Sequence, residues 1–351
     1  MKTLILGGTG AMGVPLVKLL KKESMDIYVT TRSIKKQEDG INYLYGNAHN
    51  MNFLNEILRD YYDVIIDFMS YETKEFEERY NLLLKHTKQY IYLSSCRVYA
   101  DSNNLISEDN LRLLDVCKNN EYLHTDEYAL AKARQEDMLI NAKNNNYTIV
   151  RPYITYNTYR LQLGMYEKEA WLSRVLNEKT IFFPKEMADK YTTFTYGEDV
   201  AKYIKELINN KDALGQVYNV TGNNYIKWRD LISLYEKILK TNFNKTLKIK
   251  YIDDMSFLKG FIDKWQIEYD RLYNRKIDNK KIKRICGEEE ITSLEKGLEK
   301  CIVEFVKNPE WKSVDWKYQA ICDKKAKERI SILNITGYKN KLRYVKWRYL
   351  K

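Results

Sequence analysis

The opening stretch "MKTLILGGTGAMGVPLVKLLKK" places Gly7, Gly10 and Gly13 between a short apolar run and an amphipathic one. Glycine accepts positive φ, and a backbone without a side chain lets N–H groups come close to a pyrophosphate. A helix opening at Gly13 would add partial positive charge at the same place. The segment Gly7, Gly10, Ala11, Met12 and Gly13 is therefore a candidate phosphate cradle for a dinucleotide. A tight turn and nothing more is the plainer alternative. An apolar run before the glycines and alternating strand and helix patterns after them are the context that a cradle requires.

Some twenty residues further on, NAD-binding sheets place an acid that grips the ribose diol. This chain reads "VTTRS" there, with Thr31, Arg32 and Ser33 and no carboxylate. A guanidinium can pair bidentately with a 2′-phosphate, so NADP is slightly favoured over NAD. Arg32 as a solvated loop residue is the alternative.

Two further stretches carry reactive groups. "QYIYLSSCRVYA" ends an apolar run on Ser94 and Ser95, and "DEYALAKARQEDML" sets Tyr128 and Lys132 four residues apart on one helical face. With 30 tyrosines in the chain, about three or four Tyr-x-x-x-Lys matches are expected by chance. The pair gains weight from its order after the glycine turn and the serines, and before "IVRP". Strand-end packing for Ser95 and helix-face packing for Tyr128 are the competing structural roles.

The elements that must position these residues follow from periodicity. Short runs rich in β-branched residues at 3–6, 27–31, 41–45, 64–68, 90–93 and 148–150 predict strands. Helical patterns at 14–22, 52–60, 73–85 and 127–143 lie between most of them. That alternation predicts a doubly wound α/β sheet, parallel and covered on both faces. After Arg151-Pro152 the rhythm loosens, with helices expected at 198–209, 228–240 and 293–306 and short strands near 217–220 and 247–251. The expected division is a Rossmann-like dinucleotide domain over 1–155, a smaller lobe over 156–335 with some return to the sheet, and a basic aromatic tail over 336–351.

The ordered set resembles the extended short-chain dehydrogenase/reductase family, which contains NAD(P)-dependent nucleotide-sugar epimerases, dehydratases and reductases. The similar stretches are "GGTGAMG", "YGNAHN", "SSCRVY", "YALAK", "VRPY", "FTYGEDVA" and "GQVYNVTG", covering residues 1–225. "KIDNKKIKRI" and "TSLEKGLEKCI" are similar to the family's closing segment.

The resemblance implies that Tyr128 is the acid/base that moves a hydroxyl proton while hydride passes to or from nicotinamide. A free tyrosine, with a pKa of about 10, is a poor base at neutral pH, and Lys132 beside it would favour the phenolate. It also implies that Lys132 holds the nicotinamide ribose and Ser95 bonds the reacting oxygen. Asn47 with Ala48, Met69 and Tyr153 would join the cofactor site, and Arg271 and Arg275 would face a nucleotide diphosphate. Sugar 4,6-dehydratases of the family carry Asp-Glu where this chain has Cys96 and Arg97, so that elimination is not expected. Epimerase and reductase share the remaining residues. A homodimer is implied as well. The competing reading is a non-catalytic or RNA-binding relative, similar to the family's chloroplast stem-loop-binding members.

Composition narrows the classes. Across 351 residues, 44% apolar and 13% aromatic content argues against disorder. The surplus of 11 positive charges, read as spread along the chain, fits nucleotides, nucleotide sugars, RNA or anionic lipid alike. Cys96, Cys117, Cys286, Cys301 and Cys322 are far apart, which predicts reduced thiols and no thiolate zinc site. His49, His86 and His124 form no ligand spacing. No apolar run reaches the ~18 residues of a membrane span, and "LIL" is too short for a signal peptide core. A cytoplasmic protein is expected.

Overall fold

The computed structural model describes residues 1–23, 25–35, 38–287 and 291–351. It divides into two compact units. The first comprises Met1–Thr155, Thr193–Asn224 and Lys276–Leu294, and the second Tyr156–Thr192, Tyr225–Arg275 and Glu295–Lys351.

In the first unit, β1 (Lys2–Leu6), β2 (Asp26–Thr31), β3 (Ile41–Tyr45), β4 (Tyr62–Asp67), β5 (Thr87–Leu93), β6 (Tyr147–Arg151) and β7 (Gln216–Asn219) make one sheet. Their order is β7-β6-β5-β4-β1-β2-β3, and every pairing is parallel. The unit's helices of five residues or more are α1 (Gly13–Lys22), α2 (Met51–Ile57), α3 (Thr73–Glu77), α4 (Tyr80–Lys85), α5 (Tyr128–Ile140), α6 (Gly197–Leu207) and α7 (Lys280–Cys286).

The central strands β1, β4, β5 and β6 each carry an apolar run because both faces are buried there. Ile5, Val64, Ile66, Ile91 and Val150 pack on one face with Leu16 and Leu20 of α1 and Val200 and Ile204 of α6. Their sequence neighbours Leu4, Leu6, Ile65, Tyr90, Tyr92 and Ile149 pack on the other with Leu54, Phe76, Leu83 and Leu139. The alternation places α5 on this second face, where it brings its polar residues to the ends of β4 and β5.

One expected helix, 73–85, is two. Arg79 is buried, and its guanidinium donates to the carbonyls of Glu75, Ala48 and His49 at 2.8, 3.1 and 3.2 Å. The backbone leaves helical geometry at Arg79 (φ −121°, ψ −24°), so the segment breaks where that side chain ties the turn after β3.

The second unit packs the helices Lys168–Leu176 and Trp228–Phe243 about a parallel pair of strands, Ile181–Pro184 and Ile249–Ile252. Trp171 and Tyr235 meet at its centre with ring centroids 4.7 Å apart. The C-terminal residues fold back as the helix Tyr338–Val345, whose Tyr344 is buried with Ala320 and Ile335. Among the described residues no helix is long and apolar enough to cross a membrane.

Candidate active site

The glycine turn joins β1 to α1, as the sequence predicts. Gly7 has φ +71°, and a Cβ there would lie 2.9 Å from the Met69 sulfur. Its N–H donates to Thr30 Oγ1 at 3.1 Å, fixing the turn to the end of β2. A Cβ at Gly13 would lie 2.5 Å from the Gly8 carbonyl oxygen, so only glycine lets α1 begin this close to the strand end. Gly10 differs: the nearest atom to a Cβ there is the Gly7 carbonyl oxygen at 3.8 Å. Its N–H donates to the Gly7 carbonyl at 3.4 Å and its carbonyl accepts the Val14 N–H at 3.1 Å, while the space beside its Cα is open to an approaching group. Met12 precedes α1 without a side-chain cap. In the first turn the Val14 N–H is thus taken by Gly10, the Leu16 N–H donates to the Met12 carbonyl at 3.3 Å, and Pro15 has no N–H.

The end of β2 turns sharply because Thr31 Oγ1 accepts the Ser33 N–H at 3.2 Å and donates to the Ser33 carbonyl at 3.0 Å. Arg32 and Ser33 are exposed there. After β3, Asn47 is exposed and its side-chain oxygen accepts the His49 N–H at 3.2 Å, while Ala48 is buried. Met69 follows β4 and reaches the glycine turn.

Tyr128 opens α5 and Lys132 lies one turn later. Lys132 is 1% exposed. Its ammonium donates to the Leu93 carbonyl at 2.7 Å and to the Met69 carbonyl at 3.4 Å. It stands 4.5 Å from the centroid of the Tyr92 ring and 6.0 Å from that of Tyr128. Burial pushes the Lys132 pKa down to about 8, against the opposing pull of Asp67 and Glu136. Ser95, two residues beyond Leu93, is buried, and its Oγ accepts the Arg97 N–H at 3.2 Å. Arg97 in turn lies 5.2 Å from the Tyr128 ring centroid and pairs with Glu127. The ends of β4 and β5, the start of α5 and the short turn after Ser95 thus converge. Tyr153, just after β6, is buried, and its carbonyl accepts Thr195 Oγ1 at 2.8 Å.

Two acids that hold this arrangement are not anticipated from the sequence. Glu136 lies on α5 one turn beyond Lys132 and is fully buried. It accepts Ser94 Oγ at 2.5 Å and both arms of Arg151, at 2.8 and 2.7 Å. Arg151 also donates to Tyr99 Oη, which donates to Asn219, each at 2.7 Å. The face Tyr128–Lys132–Glu136 is therefore anchored at its far end to the sheet. The signal was the same four-residue spacing carried one step further. Asp67, ending β4, is likewise buried and accepts Tyr90 Oη at 2.7 Å, Tyr71 Oη at 3.0 Å and the Met69 N–H at 2.9 Å. Burial raises its pKa, and these bonds partly offset that. An acid closing the apolar run "VIID" was the available clue.

Arg271 and Arg275 belong to the second unit and are both buried. Both engage Asp270; Arg271 also donates to the Gly164 carbonyl and Arg275 to that of Tyr269, each at 2.9 Å. They are not displayed as open forks. The sequence reading did not foresee Asp270 as their partner.

Lys132 gives a pH-dependent expectation. Between its folded pKa of about 8 and the ordinary 10.5, the unfolded chain holds a proton that the folded chain has released, so stability rises with pH in that window. Relative to Lys132→Met, the native protein should gain up to about 3 kcal/mol between neutral pH and pH 10.5. Urea unfolding of both proteins at pH 7 and pH 10 measures it. A difference that does not move with pH contradicts the burial of a charged Lys132.

A family model described as the NAD dependent epimerase/dehydratase family matches residues 3–221. The chain belongs to this family. The chloroplast stem-loop binding protein of 41 kDa b from Arabidopsis thaliana is 26% identical over 247 residues. That alignment covers 66% of the present epimerase/dehydratase-family chain but 61% of the plant protein, less than two thirds of its length. Among solved structures, a UDP-glucuronic acid 4-epimerase from Bacillus cereus, in complex with UDP-glucuronic acid and NAD, is 18% identical with a TM-score of 0.64. The match covers 88% of this chain and all of that one. A dTDP-glucose 4,6-dehydratase from Bacillus anthracis in complex with NAD is also 18% identical, with a TM-score of 0.65 over 89% and 98% of the two chains. At these identities the two structures establish the shared fold alone.

Proposed function

We propose that the first unit binds an NAD(P) dinucleotide and that Tyr128, Lys132 and Ser95 serve hydride transfer at a sugar carbon, on a nucleotide sugar. The observation that supports this most is Lys132, a lysine buried beside the Tyr128 ring at the ends of β4 and β5. A protein that needed only a stable helix there would gain nothing from a buried ammonium, whereas a proton-transfer site does.

The residues present fit the dinucleotide. Gly7, Gly10, Ala11, Met12 and Gly13 would hold its pyrophosphate in the room that Gly10, with no side chain, leaves beside the N-terminal end of α1. Arg32 and Ser33 would stand at the adenosine ribose, with Asn47, Ala48, Met69 and Tyr153 completing its surroundings. Arg32 is the support for NADP, whereas the two solved relatives above contain NAD, so the cofactor is written as either. Bound there, the dinucleotide would accept or supply the hydride.

The chain's own part is the proton. Tyr128 takes or gives the hydroxyl proton at its Oη, and the Lys132 ammonium favours the phenolate form needed for that. Ser95 Oγ accepts from Arg97 and keeps its own proton for the substrate oxygen. Arg271 and Arg275 would meet a diphosphate only if it replaced Asp270 as their partner. A cytoplasmic homodimer belongs to the same reading.

Incubation with UDP-glucose, UDP-glucuronic acid and dTDP-glucose, followed by chromatography and absorbance at the nicotinamide band, tests this. Epimerised product without net absorbance change supports an epimerase, and stoichiometric loss of NADPH or NADH supports a reductase. Bound cofactor with no turnover across a broad nucleotide-sugar panel contradicts the assignment.

A further inference from the structure

The positive charge of this chain is not spread evenly. Residues 311–351 contain twelve Lys and Arg against Asp315, Asp323 and Glu328, a net +9 of the chain's +11. These residues lie beyond the stretch that the family model matches. Two of the three acids are turned to internal partners: Asp323 accepts Arg174 at 2.9 Å and Tyr344 Oη at 2.6 Å, and Glu328 accepts Thr180 Oγ1 at 2.7 Å. Lys339, Arg343 and Lys346 recur at helical spacing along the Tyr338–Val345 helix and the turn after it, and all three are exposed. Tyr338 and Tyr349 are 74% and 52% exposed on the same segment.

Beside them, within the second unit, lies a cavity of about 500 Å³. Its lining residues include Trp311, Trp316, Asn177, Asn334, Asn340 and Lys179, and Asp323, which pairs with Arg174, also lines it. Asn340 belongs to the helix that carries Lys339 and Arg343. The volume lies in the range of small-molecule sites. Aromatic faces for stacking, amides for base edges and a surrounding field of lysine and arginine are the chemistry of single-stranded nucleic acid recognition.

We propose that residues 311–351, with the cavity they help to line, bind single-stranded nucleic acid: a base enters the cavity at Trp311 and Trp316, and flanking phosphates pair with Lys339, Arg343 and Lys346. An anionic membrane is the less suitable partner. Leu342 and Leu350 are 52% and 77% exposed on this segment, but a bilayer needs a broad apolar helix face. This helix turns Tyr344 inward against Ala320 and Ile335, and a bilayer would leave the cavity without an occupant. The site is independent of the dinucleotide reading, since it lies wholly in the other unit.

The test is fluorescence anisotropy of a labelled oligouridylate titrated with the full-length protein across a range of KCl concentrations. Binding is expected, with log affinity falling against log salt at about 0.7 per phosphate contacted, a slope near −2 for three contacts. The triple variant K339E/R343E/K346E, altered only at exposed positions, should bind at least about tenfold more weakly and with a flatter slope. Trp311→Ala should lose about fivefold or more with the slope unchanged, as stacking predicts; circular dichroism melting of both variants reports whether they are folded. No binding at about 50 mM KCl, equal binding by the folded triple variant, or association only with phosphatidylserine-containing vesicles would each overturn the proposal.

Discussion

Replacing Glu136 with alanine is expected to destabilise the first unit by about 3–5 kcal/mol, because it leaves Arg151 buried without its carboxylate. Arg151 is 3% exposed and gives two of its donors to Glu136. The same carboxylate holds Ser94 and receives Arg112 at 3.4 Å. Three groups, Ser94 just after β5, Arg151 of β6 and Arg112 of the loop before α5, therefore lose a shared partner at once. Glu136→Gln keeps the shape and two polar atoms but removes the charge, and should cost less than the alanine variant. Urea unfolding of the three proteins, compared at equal slope, gives the numbers. A loss below about 1 kcal/mol for Glu136→Ala would mean that Arg151 finds another partner or water, and that the network does not fix α5.

The second large effect concerns chemistry and not stability. Tyr128→Phe should lower turnover by 10²–10⁴-fold, the usual worth of a positioned acid/base. It should leave melting temperature and cofactor affinity nearly unchanged, since Tyr128 is 36% exposed and stands at the first residue of α5. The Arg97 guanidinium and the Lys132 ammonium still have a ring beside them in the variant, so the surrounding packing is retained. A variant that keeps more than about a tenth of wild-type turnover would move the proton transfer to another group.

Much of this was legible before any coordinates. Strands buried on both faces announce themselves as apolar runs, so β1 to β7 fall within a few residues of their expected places. Gly13 was readable because its need is steric, and a residue with a side chain cannot stand against the Gly8 carbonyl. What escaped was the use of long polar side chains over distance. Arg79 breaks a helix by reaching carbonyls some thirty residues back in the chain. Glu136 looks like any polar residue on a helix until β6 supplies Arg151. Arg271 and Arg275 read as free cations, yet Asp270 engages both. The basic tail over 336–351 is legible in the sequence, but that the surplus begins at 311 and carries most of the chain's net charge is lost when the charge is taken as spread along the chain.

If the glycine turn of the first unit holds a nicotinamide dinucleotide, the protein itself must carry or bind one. Mass spectrometry of nucleotides released on denaturing freshly purified protein, with titration of the native protein by NADH and NADPH, tests it most directly. One of the two dinucleotides should be carried through purification or bound on titration, with Gly10→Val abolishing the binding. Protein that neither carries nor binds either dinucleotide would contradict it.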